Sequence, residues 1–476
     1  MAVQCALSLR LIWGNTAFED EAQYLWAGHV ELASWLTGQP AWDTISWMPT
    51  EFSGAPVIYP PLAEIANSIG GLVAARLLSL AFIEGATVLL WLTTRRLTST
   101  QVAAAAAVTV WVLTSSVQFL SAFATFDAMA LFLLTLATYL VARSPTSTRT
   151  LVLAGLVLAL ADATKYATAL WDPVIAALVL VLIPGWKSAL RYVACLTGCT
   201  ALFLLLGLLA GGSGYWTGVT TTTLNRDAAA FGNTVAPLSV LWQSAQWIWP
   251  VVALALVAVI LERNWLTVVL LIATLLAPLH QAQIETTVSL NKHVAFGAWF
   301  GCIAAGYAAM RIANAVRGHP ARLTVAMNSA AIAAAVIAFT GIINARVMYQ
   351  DWPDETKPIA QVEQLLPSHP CPCLMMSSEV YQYYLEDKLP EATQQSLIGS
   401  PYYIQYQVGN KTLTGTNAYV QAVRRHFYSI IELDDGENPP LDATLMHVVS
   451  TTEGYHLVQV TLWPGGGAWV YVYRRP

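Results

Sequence analysis

Charge is what this chain of 476 residues has least of. Asp, Glu, Lys and Arg together make up 11% of it, where a soluble globular chain carries about a quarter. With 56% apolar residues and a mean hydropathy of +0.54, that scarcity excludes an ordinary soluble protein. Other signals are missing as well. No glycine fingerprint for a nucleotide follows any strand-like run, so no cofactor site of that kind is expected. No internal repeat or low-complexity run stands out, and nothing points to a nucleic-acid partner. Cysteine is scarce at six residues, and no Cys/His spacing matches a structural zinc site. Cys5, Cys195, Cys199 and Cys302 lie in apolar stretches and read as small buried hydrophobes. Cys371 and Cys373, in the tripeptide CPC, could pair with each other, although so tight a ring would be strained.

What the chain has in plenty is long apolar stretches. They run roughly over 71–94, 101–121, 127–142, 151–170, 173–185, 190–211, 242–261, 265–279, 294–310 and 323–345. Most approach the roughly 20 helical residues that cross a bilayer core. Residues 1–13 (MAVQCALSLRLIW) are apolar but too short to span, and they lack the basic start and cleavage site of a signal peptide. They are expected to be the end of a truncated first span, with a short interfacial anchor as the alternative. The reading is an α-helical polytopic membrane protein with about 10–11 transmembrane helices.

Alternating the spans from that start puts Arg95, Arg96, Arg143, Arg149, Lys187, Arg191, Arg263, Arg311, Arg317 and Arg322 on one side. The loops of the other side carry Arg226 and Lys292, with Lys165, Arg76 and Arg346 near span ends. By the positive-inside rule the first outer loop (about 14–70), the loops 212–241 and 281–293, and residues 348–476 are expected outside the cytoplasm of a plasma-membrane protein.

Composition shifts at about residue 348. From Tyr349 onward there are fourteen acids against seven bases, so 1–347 reads as the membrane domain and 348–476 as an extracytoplasmic domain. Within it QVEQLL reads as helix, CLMMSSEV as a buried strand and VYQYYLED as helix. YHLVQVTLW, PGGG and AWVYVYRR form a hairpin pattern, so an α/β or α+β domain is expected.

Ionisable side chains at membrane depth are costly and mark candidate sites. Here they gather on the expected outer side: Asp20 and Glu21 with Tyr24 one turn on, Asp127 opening the fourth span, Asp162 and Lys165 one turn apart, and Lys292 with His293. Plainer roles compete for each. Asp20 and Asp127 could cap helices, Asp162 and Lys165 could form a structural ion pair, and Lys292 could snorkel. The Pro- and aromatic-rich stretch EFSGAPVIYPPL belongs with them, in a loop of nearly sixty residues whose Trp26, Trp35, Trp42 and Trp47 favour a membrane interface.

In order along the chain, DEAQY, YPPL, FDAMALFLL, ADATKYATALWDP and SLNKHVAFGAWFGCIAAGYA resemble the glycosyltransferase C superfamily. The likeness lies with its protein mannosyltransferase-like and lipid A aminoarabinose transferase-like bacterial branch, over residues 15 to about 346. The resemblance implies a transferase that uses a polyprenyl-phosphate-sugar donor on the outer face. It implies Asp20 as general base, with Glu21 and Tyr24 in the same motif and Asp127 as a second site residue. At Tyr59 the chain departs from the aminoarabinose branch, which carries a lysine before the two prolines. The phosphate contact made there would fall to Lys165 or Lys292.

The chemistry of the residues agrees. A lipid phosphate leaves as an anion and needs no general acid, so one carboxylate suffices, unlike the pair in glycosidases. Lys165, Lys292 and Arg226 are the outer basic residues available to stabilise the departing charge. A single displacement would invert the anomeric centre. No cofactor is required, and a divalent cation held by Asp20 or Asp127 with the phosphate would suit those ligands. The acceptor is an unspecified glycan, lipid or protein, and membrane lipids are partners of the spans. The alternative is a transporter or flippase for a lipid-linked substrate, which would place its charges at mid-membrane, often in inverted repeats. A receptor or structural protein would explain the tail but not the buried charges.

Overall fold

In the computed structural model the described residues are 1–39, 52–224, 234–317, 319–351, 354–386, 388, 397–398, 404–434, 439–463 and 466–474. They form two compact units, one of Met1–Ile12 with Trp42–Arg346 and one of Trp13–Ala41 with Val347–Pro476.

Among the described residues every regular element of the first unit is a helix. After the short α1 (Ala2–Ile12), α3 (Tyr59–Thr98) starts on Pro60 and Pro61, whose missing N–H groups cost nothing in a first turn. It breaks at Gly70–Gly71, where Gly71 takes φ +66°, so the expected span beginning at residue 71 starts at a real interruption. It ends on Arg95 and Arg96, favourable charges for a helix C-terminus. Thr100 then caps α4 (Gln101–Leu113) by accepting from the Ala103 N–H at 3.2 Å. The chain bends by 70° into α5 (Ser115–Ala122), a two-turn helix buried at every residue. The helices α6 (Phe126–Arg143), α7 (Thr148–Thr164), a 3-10 segment (Tyr166–Trp171) and α8 (Asp172–Leu182) follow. The unit closes with α9 (Trp186–Val219), α10 (Pro237–Glu262), α11 (Trp265–Gln283), α12 (Leu290–Val316) and α13 (Pro320–Asp351), the last up to Arg346.

Glycine lets α12 approach its neighbours closely. A Cβ at Gly297 would lie 2.7 Å from the Thr274 carbonyl of α11, and one at Gly306 would lie 2.6 Å from the Ala103 carbonyl of α4. That is the small-residue packing that lets membrane helices touch backbone to backbone.

The chain is a multi-pass membrane protein. Among the described residues seven helices are long and apolar enough to span, eight if the bent α4–α5 pair is one crossing. All ten apolar stretches named above are helical, but the count falls short of ten or eleven for a physical reason. The 151–185 stretch divides into α7, a 3-10 segment and α8, with 17 and 11 residues in the two α-helices, and α1 has only 11 residues.

The second unit carries a five-stranded sheet of order β2-β1-β5-β7-β6, with β1 (Cys373–Met375), β2 (Leu397–Ile398), β5 (Ile430–Asp434), β6 (Tyr455–Trp463) and β7 (Gly466–Tyr473). β1 runs parallel to β2 and β5, while β7 is antiparallel to both β5 and β6. The last pair is the hairpin that the alternating pattern predicts. A separate two-stranded ribbon joins β3 (Gln405–Val408) to β4 (Lys411–Thr414). The helices of this unit are α14 (Thr356–Leu365), α15 (Ser378–Leu385), α16 (Gly415–Arg424) and α17 (Pro439–Thr451). Leu374, Tyr419, Ile431, Leu445 and Tyr471 share one core cluster, and β5 is buried at every residue. The CPC cysteines are joined as a disulfide.

The helix α2 (Glu19–Thr37), which carries the acids of the first loop, belongs to this second unit. It packs on α15, and its approach is pinned by hydrogen bonds from the Ala17 N–H to the Tyr384 hydroxyl (2.8 Å) and from the Glu355 N–H to Thr16 Oγ1 (3.1 Å). Trp26 is buried and Trp35 exposed, while Trp42 and Trp47 lie outside the described residues.

Buried acids cluster beneath this junction. Glu432 of β5 is fully buried and accepts from the Met376 N–H at 3.1 Å, while Asp434 accepts from the Ser377 hydroxyl at 2.7 Å. Burial, with Asp434 and Asp354 nearby, pushes Glu355 from 4.5 up to about 8. Burial beside Asp434 and Glu355 raises Glu432 well above its usual range. A folded state that holds protons the unfolded chain releases near pH 4.5 is most stable below that pH, and it loses this contribution as pH rises through about 8. Hydrogen exchange on the full-length protein should show β5 protection falling between pH 5 and 8, by the order of a few kcal/mol. Glu355→Gln should flatten that slope.

Candidate functional site

The site in the membrane unit is built around a helix end. At Lys165 the backbone leaves α7 in an extended conformation (φ −146°) before the 3-10 segment. The exposed peptide edge there is taken up by the Pro-rich loop. The Ala55 N–H donates to the Ala163 carbonyl at 2.7 Å, and the Tyr166 N–H donates to the Ser53 carbonyl at 2.8 Å. Between them Gly54 presses so closely on the turn that a Cβ would lie 2.0 Å from the Thr164 carbonyl oxygen. FSGAP and ADATKY, separate motifs in the sequence, thus form one backbone junction. Tyr59 follows, fully buried, with its hydroxyl 3.2 Å from that of Ser79 on α3.

The junction aims Lys165 at Asp127. Its Nζ lies 2.7 Å from Asp127 Oδ1, with the two residues only 4% and 1% exposed. Asp127 sits in the first turn of α6, where the helix dipole favours an anion. Lys292, 7% exposed in the first turn of α12, and His293 beside it also bring their fields to the Asp127 carboxylate. Gln281 fixes the imidazole: its Nε2 donates to His293 Nδ1 at 2.6 Å and to the Val288 carbonyl at 3.3 Å. A helix N-terminus carrying Lys and His next to a buried Lys–Asp pair is a setting suited to an oxyanion such as a phosphate.

Thus Asp127, Lys165, Lys292 and His293 come together. Lys165 pairs with Asp127, whereas Asp162, the i−3 alternative, lies against Asp172. Arg226 lies outside the described residues.

Asp20, Glu21 and Tyr24 are in the other unit. Glu21 is fully buried, and its Oε2 accepts from the Phe18 N–H at 3.3 Å, so the capping role belongs to Glu21. Asp20 is half-buried in the same first turn and Tyr24 is buried one turn on. Among the described residues no group of three or more His, Cys, Asp or Glu is arranged to hold a metal ion.

Sequence reading missed Gly54, Gln281, Phe119 and Phe126. The signal for Gly54 was available in its place within FSGAP. The role of Gln281 depends on a fold-back from α11 to α12 that spacing does not reveal.

No protein-family model matches the chain, and no curated protein sequence does. Solved structures do. The chain is similar to ArnT from Cupriavidus metallidurans in the apo state, with a TM-score of 0.56 and 12% identity over 98% of this chain and 96% of that one. The same protein bound to undecaprenyl phosphate matches with a TM-score of 0.56 and 11% identity over the same shares. The arabinofuranosyltransferase AftD from mycobacteria matches at 0.49 and 14% identity, with this chain spanning 41% of its length. The fold is therefore the ArnT-like polytopic membrane fold, the architecture expected from the resemblance to glycosyltransferase C enzymes.

Two measurements check the site's construction. Lys165→Met should destabilise the purified protein by about 3–5 kcal/mol in denaturant unfolding, and adding Asp127→Leu should restore most of the loss. Gly54→Ala should cost about 1–3 kcal/mol or more, because backbone at 2.0 Å cannot yield cheaply, whereas Gly198→Ala, inside α9 and meeting nothing within 4 Å, should cost nothing and stabilise by up to about 1 kcal/mol.

Proposed function

We propose that the protein is a membrane glycosyltransferase moving a sugar from a polyprenyl-phosphate donor to an acceptor hydroxyl on the extracytoplasmic face. The observation that carries this reading is the buried Asp127–Lys165 pair with Lys292 and His293 at a helix N-terminus, set in an ArnT-like fold. That a structure of ArnT holds undecaprenyl phosphate supports a polyprenyl phosphate as the lipid partner.

In this reading Asp20 takes the proton from the acceptor hydroxyl. The acceptor oxygen attacks the anomeric carbon, the bond from that carbon to the phosphate oxygen breaks, and the electron pair leaves on the lipid phosphate. One displacement inverts the anomeric centre. Lys165 and Lys292, held before the reaction begins, stabilise the phosphate charge as it grows, and no general acid is needed. Asp127 keeps Lys165 directed through their 2.7 Å contact. The balance needs no cofactor, and a divalent cation shared by the donor phosphate with Asp20 or Asp127 would serve the same end as the lysines.

Replacing Asp20 by Asn tests the assignment. Transfer from polyprenyl-phosphate sugar in membranes should fall by about 10²-fold or more at normal protein level, the usual scale of general-base catalysis. Full activity in that variant would remove Asp20 from the mechanism.

A further inference from the structure

Three cations of the membrane unit lie over rings of one short segment, Phe119 to Phe126. The Lys292 ammonium is 5.5 Å from the Phe119 ring centre, the Arg76 guanidinium 5.5 Å from Phe123, and the Lys165 ammonium 4.8 Å from Phe126. All fall within the roughly 6 Å at which a ring face attracts a cation. The rings are buried, and Phe119 and Phe123 touch with centroids 4.7 Å apart.

The middle contact is an anchor. Arg76 of α3 is buried, and its Nη1 donates to the Ile12 carbonyl at 3.2 Å and the Leu11 carbonyl at 3.4 Å, which ties Phe123 to α3 and to the end of α1. The outer two rings flank that anchor, each beneath one of the two lysines whose fields meet at Asp127.

We propose that Phe119 and Phe126 are positioning residues that hold the Lys292 and Lys165 ammonium groups as a pair for a lipid-linked phosphate. This rests on the donor reading given under Proposed function. A lysine is a point charge on a flexible four-carbon stem, so its ammonium needs a second support to stay in one place. A carboxylate supplies that support by cancelling the charge. A ring face supplies it without adding a formal charge, and leaves the ammonium positive toward an incoming anion. Lys165 has both supports, Asp127 at 2.7 Å and the ring of the adjacent Phe126. Phe126 and Asp127 are neighbours at the start of α6, so one helix turn sets both.

The test compares ring-keeping and ring-removing variants of the full-length protein in nanodiscs, with undecaprenyl phosphate as the probe. Phe119→Leu and Phe126→Leu should each weaken binding about tenfold, the scale of a desolvated cation–ring contact. Phe119→Tyr and Phe126→Tyr should bind within about twofold of the unsubstituted protein. Phe82→Leu, which removes a ring from the Phe82–Phe132 pair elsewhere in the unit, should leave binding unchanged. NMR of side-chain-labelled lysine gives a readout independent of the ligand: the Lys292 ε-methylene should lose its ring-current shift in Phe119→Leu and the Lys165 ε-methylene in Phe126→Leu, each variant leaving the other lysine's shift in place. Leu variants that bind like the unsubstituted protein, or Tyr variants that lose as much as Leu variants, overturn the proposal. If the unsubstituted protein does not bind the probe at all, the donor reading fails. The positioning role then stands or falls on the lysine shifts.

Discussion

The membrane unit depends on an ion pair taken out of water. Asp127 and Lys165 meet at 2.7 Å with almost no exposure, in a helical body whose neighbouring side chains are mostly apolar. Each charge alone would cost several kcal/mol to bury, so neither residue is tolerable there without the other and without backbone that holds the geometry. The surroundings supply that backbone. α7 stops where Lys165 must turn, a loop residue without a side chain packs on the stop, and the first turn of α6 presents the carboxylate. The result is a fixed, neutral pair beside a positive helix N-terminus that carries the buried Lys292, a poor arrangement for simple stability and a good one for receiving an anion.

The second unit solves a different problem. The three acids in the first turn of α2 suit the positive end of its dipole, but a lone helix in water draws most of its stability from what its apolar face packs on. Here it gains a partner in α15, and hydrogen bonds from the Ala17 N–H to the Tyr384 hydroxyl and from the Glu355 N–H to Thr16 Oγ1 fix its entry. The acidic tail and the acidic first loop, far apart in sequence, are therefore one structural body. The raised carboxyls of Glu355 and Glu432 sit where the two segments join, which links the cohesion of that body to protonation.

Much of this was legible in the chain. Every apolar stretch named from hydropathy is helical over most of its length, and the alternating pattern of YHLVQVTLW and AWVYVY is the β6–β7 hairpin. Asp127, Lys165, Lys292 and His293 stood out because charge at membrane depth is rare. The span count was less legible, because hydropathy cannot see that Tyr166–Trp171 winds as 3-10 helix or that α4 and α5 bend by 70°. The partner of Lys165 was also hidden. Asp162, three residues before it, offered itself by helical spacing, whereas the true partner lies 38 positions away on another helix.

The amino-acid sequence by itself determined that this protein lives in a membrane, where its helices lie and which few side chains carry charge into the apolar interior. Those properties follow from local composition, since each residue's transfer cost is its own. Only the tertiary structure decided which charges meet, that FSGAP clamps the Lys165 turn, that Phe119 and Phe126 underlie the two lysines, and that α2 joins the C-terminal unit. These are pairings between segments distant along the chain, set by how the helices pack, and no periodicity or motif encodes the distance between two side chains brought together in this way.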